Sequence, residues 1–408
     1  MRPRPFTLPA ASLLVLAASC AATEPPRVPS STPSPAALAQ IELAESVPTE
    51  TTLDRPDVAN APDVWRTMID GATKTLDFAE FYASEADGAF TANDPLGPIL
   101  LAVERATARG VVVRFLADAT FGAKYPETLA RLARAHVVVR KLDVSKRAGG
   151  VLHAKYFVVD GADSFVGSQN FDWRALVHIQ EMGVRVRSKE IAGALLDVLD
   201  TDWDLAAGAA NGARVHRHGP GSSVHATTGE DLTFVASPKG WLPDESTWDL
   251  PRLVAMLDAA KESVAVQLLT YKTKDRDGGA FTTLDDALRR AAGRGVRVRL
   301  LLSEWAQKPG GDARNAADAL ARVPNVEVRF IVIPKFSGGD IPFARVAHAK
   351  YLVVDGGVAW VGTSNWEGDY FLKSRNVGVI AAGGALPPRL GRYFDENWAS
   401  TYVTPLAP

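Results

Sequence analysis

Apolar and polar positions along this chain follow two rhythms. Stretches of helical period, such as Pro98–Arg109 and Leu284–Arg294, alternate with short Val/Leu/Ile-rich runs of strand length. Val-Val-Val-Arg-Phe-Leu follows Arg109-Gly110, and Val-Arg-Val-Arg-Leu-Leu follows Arg294-Gly295. Strands that alternate with helices predict an α/β fold, with helices covering a mixed sheet.

The whole pattern occurs twice. Ala72-Thr-Lys-Thr-Leu76 matches Ala260-Lys-Glu-Ser-Val264 at an offset of 188, and Arg109-Gly110 matches Arg294-Gly295 at 185. From His153 to Trp203 the offset then holds at 195, pairing Asp160 with Asp355, Asn170 with Asn365 and Trp203 with Trp398. Drifting offsets mark loop insertions, whereas a constant one over about fifty residues marks a shared functional block. The expected organisation is a leader over 1–20, a tether over 21–44, a first half over 45–208, a linker over 209–229 and a second half over 230–408.

The leader has a basic start at Arg2 and Arg4, an apolar run from Leu8 to Ala18, and Ala17-Ala-Ser-Cys20. That is the layout of a secretory signal, with an apolar run below the ~20 residues that span a bilayer. Ala17–Cys20 also resembles a bacterial lipobox, which predicts a lipid on Cys20 and a body held outside the cytoplasm, on the envelope. The tether carries Pro25, Pro26, Pro29, Pro33 and Pro35 among small polar residues, and cannot bury a core.

Composition excludes more than it assigns. Apolar residues at 47% and charged residues at 23% rule out a wholly disordered or polytopic membrane chain. One cysteine rules out disulfides within the chain and cysteine-built zinc sites. Losing Arg2 and Arg4 with the leader takes the basic total from 45 to 43 against 47 acids, a net of −4. A polyanionic substrate must therefore meet a local cluster of positive charge.

The constant-offset block supplies one. His153-Ala-Lys155 is followed by Asp160 and then Gly167-Ser168-Gln-Asn170; His348-Ala-Lys350 is followed by Asp355 and then Gly362-Thr-Ser364-Asn365. On a strand, residues i and i+2 share a face, so each His and Lys would project side by side. Asp160-Gly161 and Asp355-Gly356 are turn signals that fold the next strand back, bringing Ser168 and Asn170 near the first pair. Two such sets facing across a pseudo-twofold axis give imidazoles, ammonium groups and neutral donors, with no carboxylate cluster for a metal. Such donors match the oxygens of a phosphoryl group in an in-line displacement. One histidine can attack phosphorus while the other protonates the leaving alkoxide.

With this paired His-x-Lys-x4-Asp-x6-Gly-[Ser/Thr]-x-Asn motif the chain resembles the phospholipase D superfamily from about Glu45 to Leu406. The resemblance implies two pseudo-symmetric α/β halves, one shared active site between them, a phosphohistidine intermediate and no cofactor or required metal. By position it makes His153 and His348 nucleophile and general acid, with the N-terminal His153 the expected nucleophile. Lys155, Lys350, Asn170 and Asn365 would hold the phosphoryl oxygens. Glu181, eleven residues after Asn170, falls where many relatives keep a Glu on the catalytic imidazole; copy two has Asn376 there. Asp160 and Asp355 are expected to be structural. Ser168, Ser364, Tyr82 and Tyr271 are candidate substrate contacts, within an aromatic set that includes Phe81, Trp173, Trp305, Trp366, Tyr370 and Phe371.

Gly167–Leu176, Gly362–Phe371, Ile341–His348 and Leu302-Ser-Glu-Trp305 resemble one branch, the animal endolysosomal proteins and their poxvirus relatives. That branch implies 5′ exonuclease action on single-stranded nucleic acid. A phospholipase D or phosphatidyltransferase acting on membrane lipids is the alternative, and an inactive binding or envelope protein a third. The chain departs from the animal members in its lipobox-like leader and its cysteine-free body.

Overall fold

The computed structural model describes Met1, residues 39–87, Thr91 and residues 94–208 and 223–406. Cys20, the leader beyond Met1 and most of the tether lie outside the described residues. Each half is built on seven strands. In the first these are β1 (Gln40–Ser46), β2 (Thr75–Glu80), β3 (Val112–Asp118), β4 (Val138–Leu142), β5 (Lys155–Val159), β6 (Asp163–Gly167) and β7 (Glu181–Arg187). The second has β8 (Asp231–Ser237), β9 (Ser263–Leu268), β10 (Arg297–Ser303), β11 (Val326–Ile331), β12 (Tyr351–Val354), β13 (Val358–Gly362) and β14 (Asn376–Ala382). These strands run in the orders β1-β7-β6-β5-β2-β3-β4 and β8-β14-β13-β12-β9-β10-β11, which are the same order, with short strands added at the edges. In each half the β2–β3–β4 or β9–β10–β11 strands are parallel and the rest antiparallel.

Period-two alternation explains how the layers form. In β5, Tyr156 and Val158 enter a central core, while Phe157 and Val159 face an outer cluster with Trp65, Ile99 and Leu100. In β12, Tyr351 and Val353 join the same central core, and Leu352 and Val354 face an outer cluster with Leu253 and Leu288. The outer faces are covered by α1 (Ala61–Asp70) and α2 (Gly97–Ala108) on one half, and by α4 (Asp249–Ala259) and α5 (Thr283–Gly293) on the other. Two further equivalent helices, α3 (Lys189–Ala206) and α6 (Leu386–Trp398), pack into the central core. The helices foreseen at Pro98–Arg109 and Leu284–Arg294 are thus α2 and α5.

Two boundaries differ from the sequence reading. Strand β1 starts at Gln40, ahead of residue 45, because Leu43 and Ala44 are buried and the whole run pairs antiparallel with β7. Within the expected linker, Ser223–His225 pairs with the start of β8. Among the described residues, no helix is long and apolar enough to cross a membrane.

Turn chemistry places the motifs. Asp160 and Gly161 take φ of 52° and 64°, and Asp355 and Gly356 take 52° and 62°. Positive φ at both central residues is the type I′ turn that matches strand twist. The same aspartates hold the next strand: Asp160 accepts from the N–H groups of Thr73, Lys74 and Thr75, and Asp355 from those of Lys261, Glu262 and Ser263. Their carboxylates are spent on backbone.

The halves are joined by equivalent contacts. Parallel bridges pair Leu152 with Arg375 and Gln180 with Ala347, positions related by the 195-residue offset. Arg375 is fully buried and makes a bidentate pair with Asp202 of α3 at 2.8 Å for both bonds, while also donating to the carbonyls of Ser237 and Trp241. Removing one partner of a buried pair leaves an uncompensated charge and costs about 3–5 kcal/mol. Asp202→Ala should therefore lower unfolding free energy by about that much in a denaturant titration; a midpoint shift under 1 kcal/mol would show that the pair does not hold the halves.

Candidate active site

Each histidine is placed by main chain from the opposite half. The N–H of His153 donates to Arg375 O (2.9 Å), and that of His348 donates to Gln180 O (2.8 Å). Side chains repeat the crossing. Nδ1 of His153 lies 3.0 Å from Asn376 Oδ1, the first residue of β14. Nδ1 of His348 lies 2.9 and 2.8 Å from the two oxygens of Glu181, the first residue of β7. Glu181 and Asn376 are equivalent positions, so a symmetric scaffold gives the two imidazoles unlike partners.

The Asn376 amide is oriented by its neighbours. Its Nδ2 donates to Tyr370 O (2.8 Å) and its Oδ1 accepts from Thr363 Oγ1 (2.9 Å). Oδ1 therefore faces His153, whose Nδ1 must carry the hydrogen and whose Nε2 keeps a lone pair. Both rings line the same cleft.

The lysine head groups are turned onto the main chain of their own histidines. Strand β5 begins at Lys155 and β12 at Tyr351, so both histidines precede their strands. Lys155 Nζ donates to His153 O at 2.7 Å, and Lys350 Nζ to His348 O at 2.5 Å. Both lysines are buried, as are Asn170 and Asn365, whose Oδ1 atoms have no protein partner. Ser168 is occupied by strand pairing, donating to Met182 O and accepting from Met182 N–H; Thr363, its equivalent, accepts from Val377 N–H and gives its one hydrogen to Asn376 Oδ1. Ser364 is buried with an unpartnered hydroxyl.

Electrostatics separates the two histidines further. Burial holds both imidazoles well below their ordinary range, and Lys155 and Lys350 push the same way. Burial raises Glu181 to about 8 against the pull of Lys350, and lowers Lys350 to about 7 against the pull of Glu181. Burial thus favours a proton on Glu181, which its hydrogen bond shares with Nδ1 of His348. With that proton in place, Nε2 of His348 still carries its own hydrogen toward the cleft. Asn376 cannot take a proton, so His153 has no such reservoir and stays neutral. One ring is thus arranged as a base or nucleophile and the other as an acid.

The cleft has a volume of 400 Å³ and is walled largely by aromatic rings, including Phe81, Tyr82, Phe121, Tyr125, Trp305 and Phe343. Tyr82 stacks on Tyr125 with centroids 4.9 Å apart, and Lys124 lies 4.4 Å over the Phe121 ring. Phe343 is 71% exposed and Trp305 45%. Tyr370 meets the His153 ring edge-on at 4.7 Å. Tyr271 does not belong to this wall: it is 1% exposed, packs in the outer core of the second half, and donates its hydroxyl to Asp285. Trp366 and Phe371 lie in the same core, and Trp173 lines a neighbouring pocket. Phe121, Tyr125 and Phe343 are new to the site, and Thr363, a member of the motif, gains a role beneath Asn376. Only the repeat offset, which pairs Thr363 with Ser168, carried a signal for any of them.

Fold and site together define a two-motif phosphodiester-cleaving or -transferring enzyme. The family described as "Cardiolipin synthase, PLD-like domain" matches residues 65–203 and 253–398, and the chain belongs to the phospholipase D superfamily. It is 30% identical over 393 residues to "Phospholipase D Z" of Dictyostelium discoideum, covering 90% of each chain. It is 29% identical to the human "5'-3' exonuclease PLD4", covering 90% of this chain and 79% of that one. It is 30% identical to the "Virion nicking-joining enzyme" of Vaccinia virus, covering 88% of each. The structure of a phosphatidylserine synthase from Haemophilus influenzae superposes with a TM-score of 0.60 at 12% identity, covering 84% of this chain and 85% of that one, a likeness of fold.

Proposed function

We propose that the chain is a metal-independent phosphodiesterase that cleaves single-stranded nucleic acid from its 5′ end through a phosphohistidine. In this scheme Nε2 of His153 attacks phosphorus and forms the N–P bond as the bond to the leaving oxygen breaks. His348 gives its Nε2 hydrogen to that oxygen. A water then attacks the phosphohistidine, losing its proton to His348, and His153 leaves neutral. Lys155, Lys350 and the amides of Asn170 and Asn365 hold the phosphoryl oxygens, where fixed positive charge in a buried site offsets the charge that develops.

The observation that carries the substrate reading is the aromatic wall beside His153 and His348. Successive bases stack on such faces, at about 1–3 kcal/mol per base, and every base has a face to offer. One relative bears the name of a 5'-3' exonuclease and another that of a nicking-joining enzyme. The leader and Cys20 favour a lipid-anchored enzyme outside the cytoplasm, which fractionation of the expressed chain checks.

The test is a side-by-side assay, in EDTA, of the protein on 5′-labelled single-stranded DNA and on phosphatidylglycerol vesicles. Stepwise mononucleotide release is expected, at a rate at least tenfold above headgroup release. Headgroup release or exchange without nucleotide release would instead assign the enzyme to phospholipids.

A further inference from the structure

One buried acid beside the site has no part in this scheme. Glu80 is the last residue of β2, 1% exposed, and its Oε2 is buried without a hydrogen-bond partner. It stands directly opposite Lys155 in the antiparallel β2–β5 register. Residues so paired lie on one face with Cβ atoms about 4.5–5.5 Å apart. That face is the one carrying Phe78 and Phe157, and the Lys155 ammonium lies 5.1 Å from the Phe81 ring at its end. The equivalent of Glu80 in the second half, at the 188 offset, is Leu268.

We propose that Glu80 is a positioning residue that strengthens the hold of Lys155 on its proton. This rests on the reading that Lys155 holds the phosphoryl oxygens. A carboxylate buried alone is costly, and so is an ammonium beside a second ammonium; facing each other, they offset one another. Burial and Lys350 hold Lys155 well below its ordinary range, while Glu80 and then Glu181 act to retain its proton. Burial holds the Glu80 carboxyl well above its ordinary range, with Lys155 opposing it.

Other neighbours leave this role to Glu80. Its partner on the β3 side is Ala117, and Asp118 beyond it already accepts from the N–H groups of Thr120, Phe121 and Leu152. Asp77 on the same strand pairs with Arg114. Glu181 is engaged by His348, and the remaining groups near Lys155 are Lys350 and the two imidazoles, none of which favours a proton on Lys155.

The sign follows. Without Glu80, Lys155 loses its proton at lower pH, so activity falls on the alkaline side and returns on acidification. For Glu80→Gln, the alkaline limb of kcat/KM on bis-p-nitrophenyl phosphate should move down by at least one pH unit, about a tenfold loss at pH 8. Adding Lys155→Arg, whose guanidinium does not deprotonate, should restore the limb of the Glu80→Gln protein. Should Glu80→Gln fail to fold, Glu80→Asp should move the same limb by a smaller amount. A profile superimposable on the parent, or a loss equal at every pH, would overturn the role of Glu80. Failure of the underlying reading is separate: it would show as parent-level kcat/KM on the same ester, at every pH, in a Lys155→Ala protein.

Discussion

Exchange of His153 for asparagine should remove turnover to the limit of detection, a loss of at least about 10⁴-fold. Asparagine retains a polar group near Asn376 but offers no nucleophile at the Nε2 position. The fold should survive, because the ring is held by contacts with Phe81 and Tyr370 rather than by the central core. His348→Asn should behave differently with different leaving groups. On an oligonucleotide the loss should be about 10²–10⁴-fold, since the alkoxide departs unprotonated. On a p-nitrophenyl ester the first step should survive, because p-nitrophenolate leaves without a proton, and the enzyme should then stall. Steady-state and burst kinetics read both. More than a few per cent of turnover in His153→Asn would sink the two-histidine scheme, and no burst in His348→Asn would deny that histidine the acid role.

The second large effect is expected at Glu181. In the parent protein, burial lifts this carboxyl to about 8, so Glu181 holds the proton it shares with His348 through neutral pH and loses it above. Activity should therefore fall as pH rises from about 7, where Lys350 loses its proton, through about 8, where Glu181 does. In Glu181→Gln the amide can still accept from Nδ1 but cannot hold a proton. His348 then relies on its own affinity, which burial, Lys350 and Lys155 keep well below the ordinary 6.5. Its acid form is present only below that depressed value. At pH 7.5 the variant should lose about 10²-fold in kcat on an oligonucleotide, with recovery on acidification. A pH profile of kcat checks this. A loss with unchanged shape would mean that Glu181 only orients the ring.

The sequence made the catalytic block legible because both halves carry it at one spacing. His153, Lys155, Asn170 and their partners recur 195 residues on, and the type I′ turns at Asp160 and Asp355 explain why the spacing within each block does not drift. What was not legible depends on packing between elements far apart in the chain. Glu181 could be placed near an imidazole, but that it serves His348 while Asn376 serves His153 follows only from the crossing at Gln180 and Arg375. Ser168 looked like a ligand for substrate because a hydroxyl beside Asn170 suits that role; in the fold the strand consumes it. Tyr271 looked like part of an aromatic wall, and its hydroxyl is instead taken by Asp285 within the core. Glu80 left no trace in the repeat, since Leu268 stands at the equivalent position. Strand β1 was hidden by its closeness to the proline-rich tether, and only its pairing with β7 separates the two.

The central claim is a covalent phosphohistidine formed on His153, and trapping it is the most direct test. The His348→Asn protein, mixed with a p-nitrophenyl ester of thymidine 3′-phosphate, should release one equivalent of p-nitrophenolate per chain and then stop. Acid-free digestion and mass spectrometry should find the nucleotidyl group on the peptide containing His153. An adduct on His348 in the His153→Asn protein, with none on His153 in the His348→Asn protein, would reverse the assignment. No adduct in either, with turnover continuing, would contradict the covalent mechanism itself.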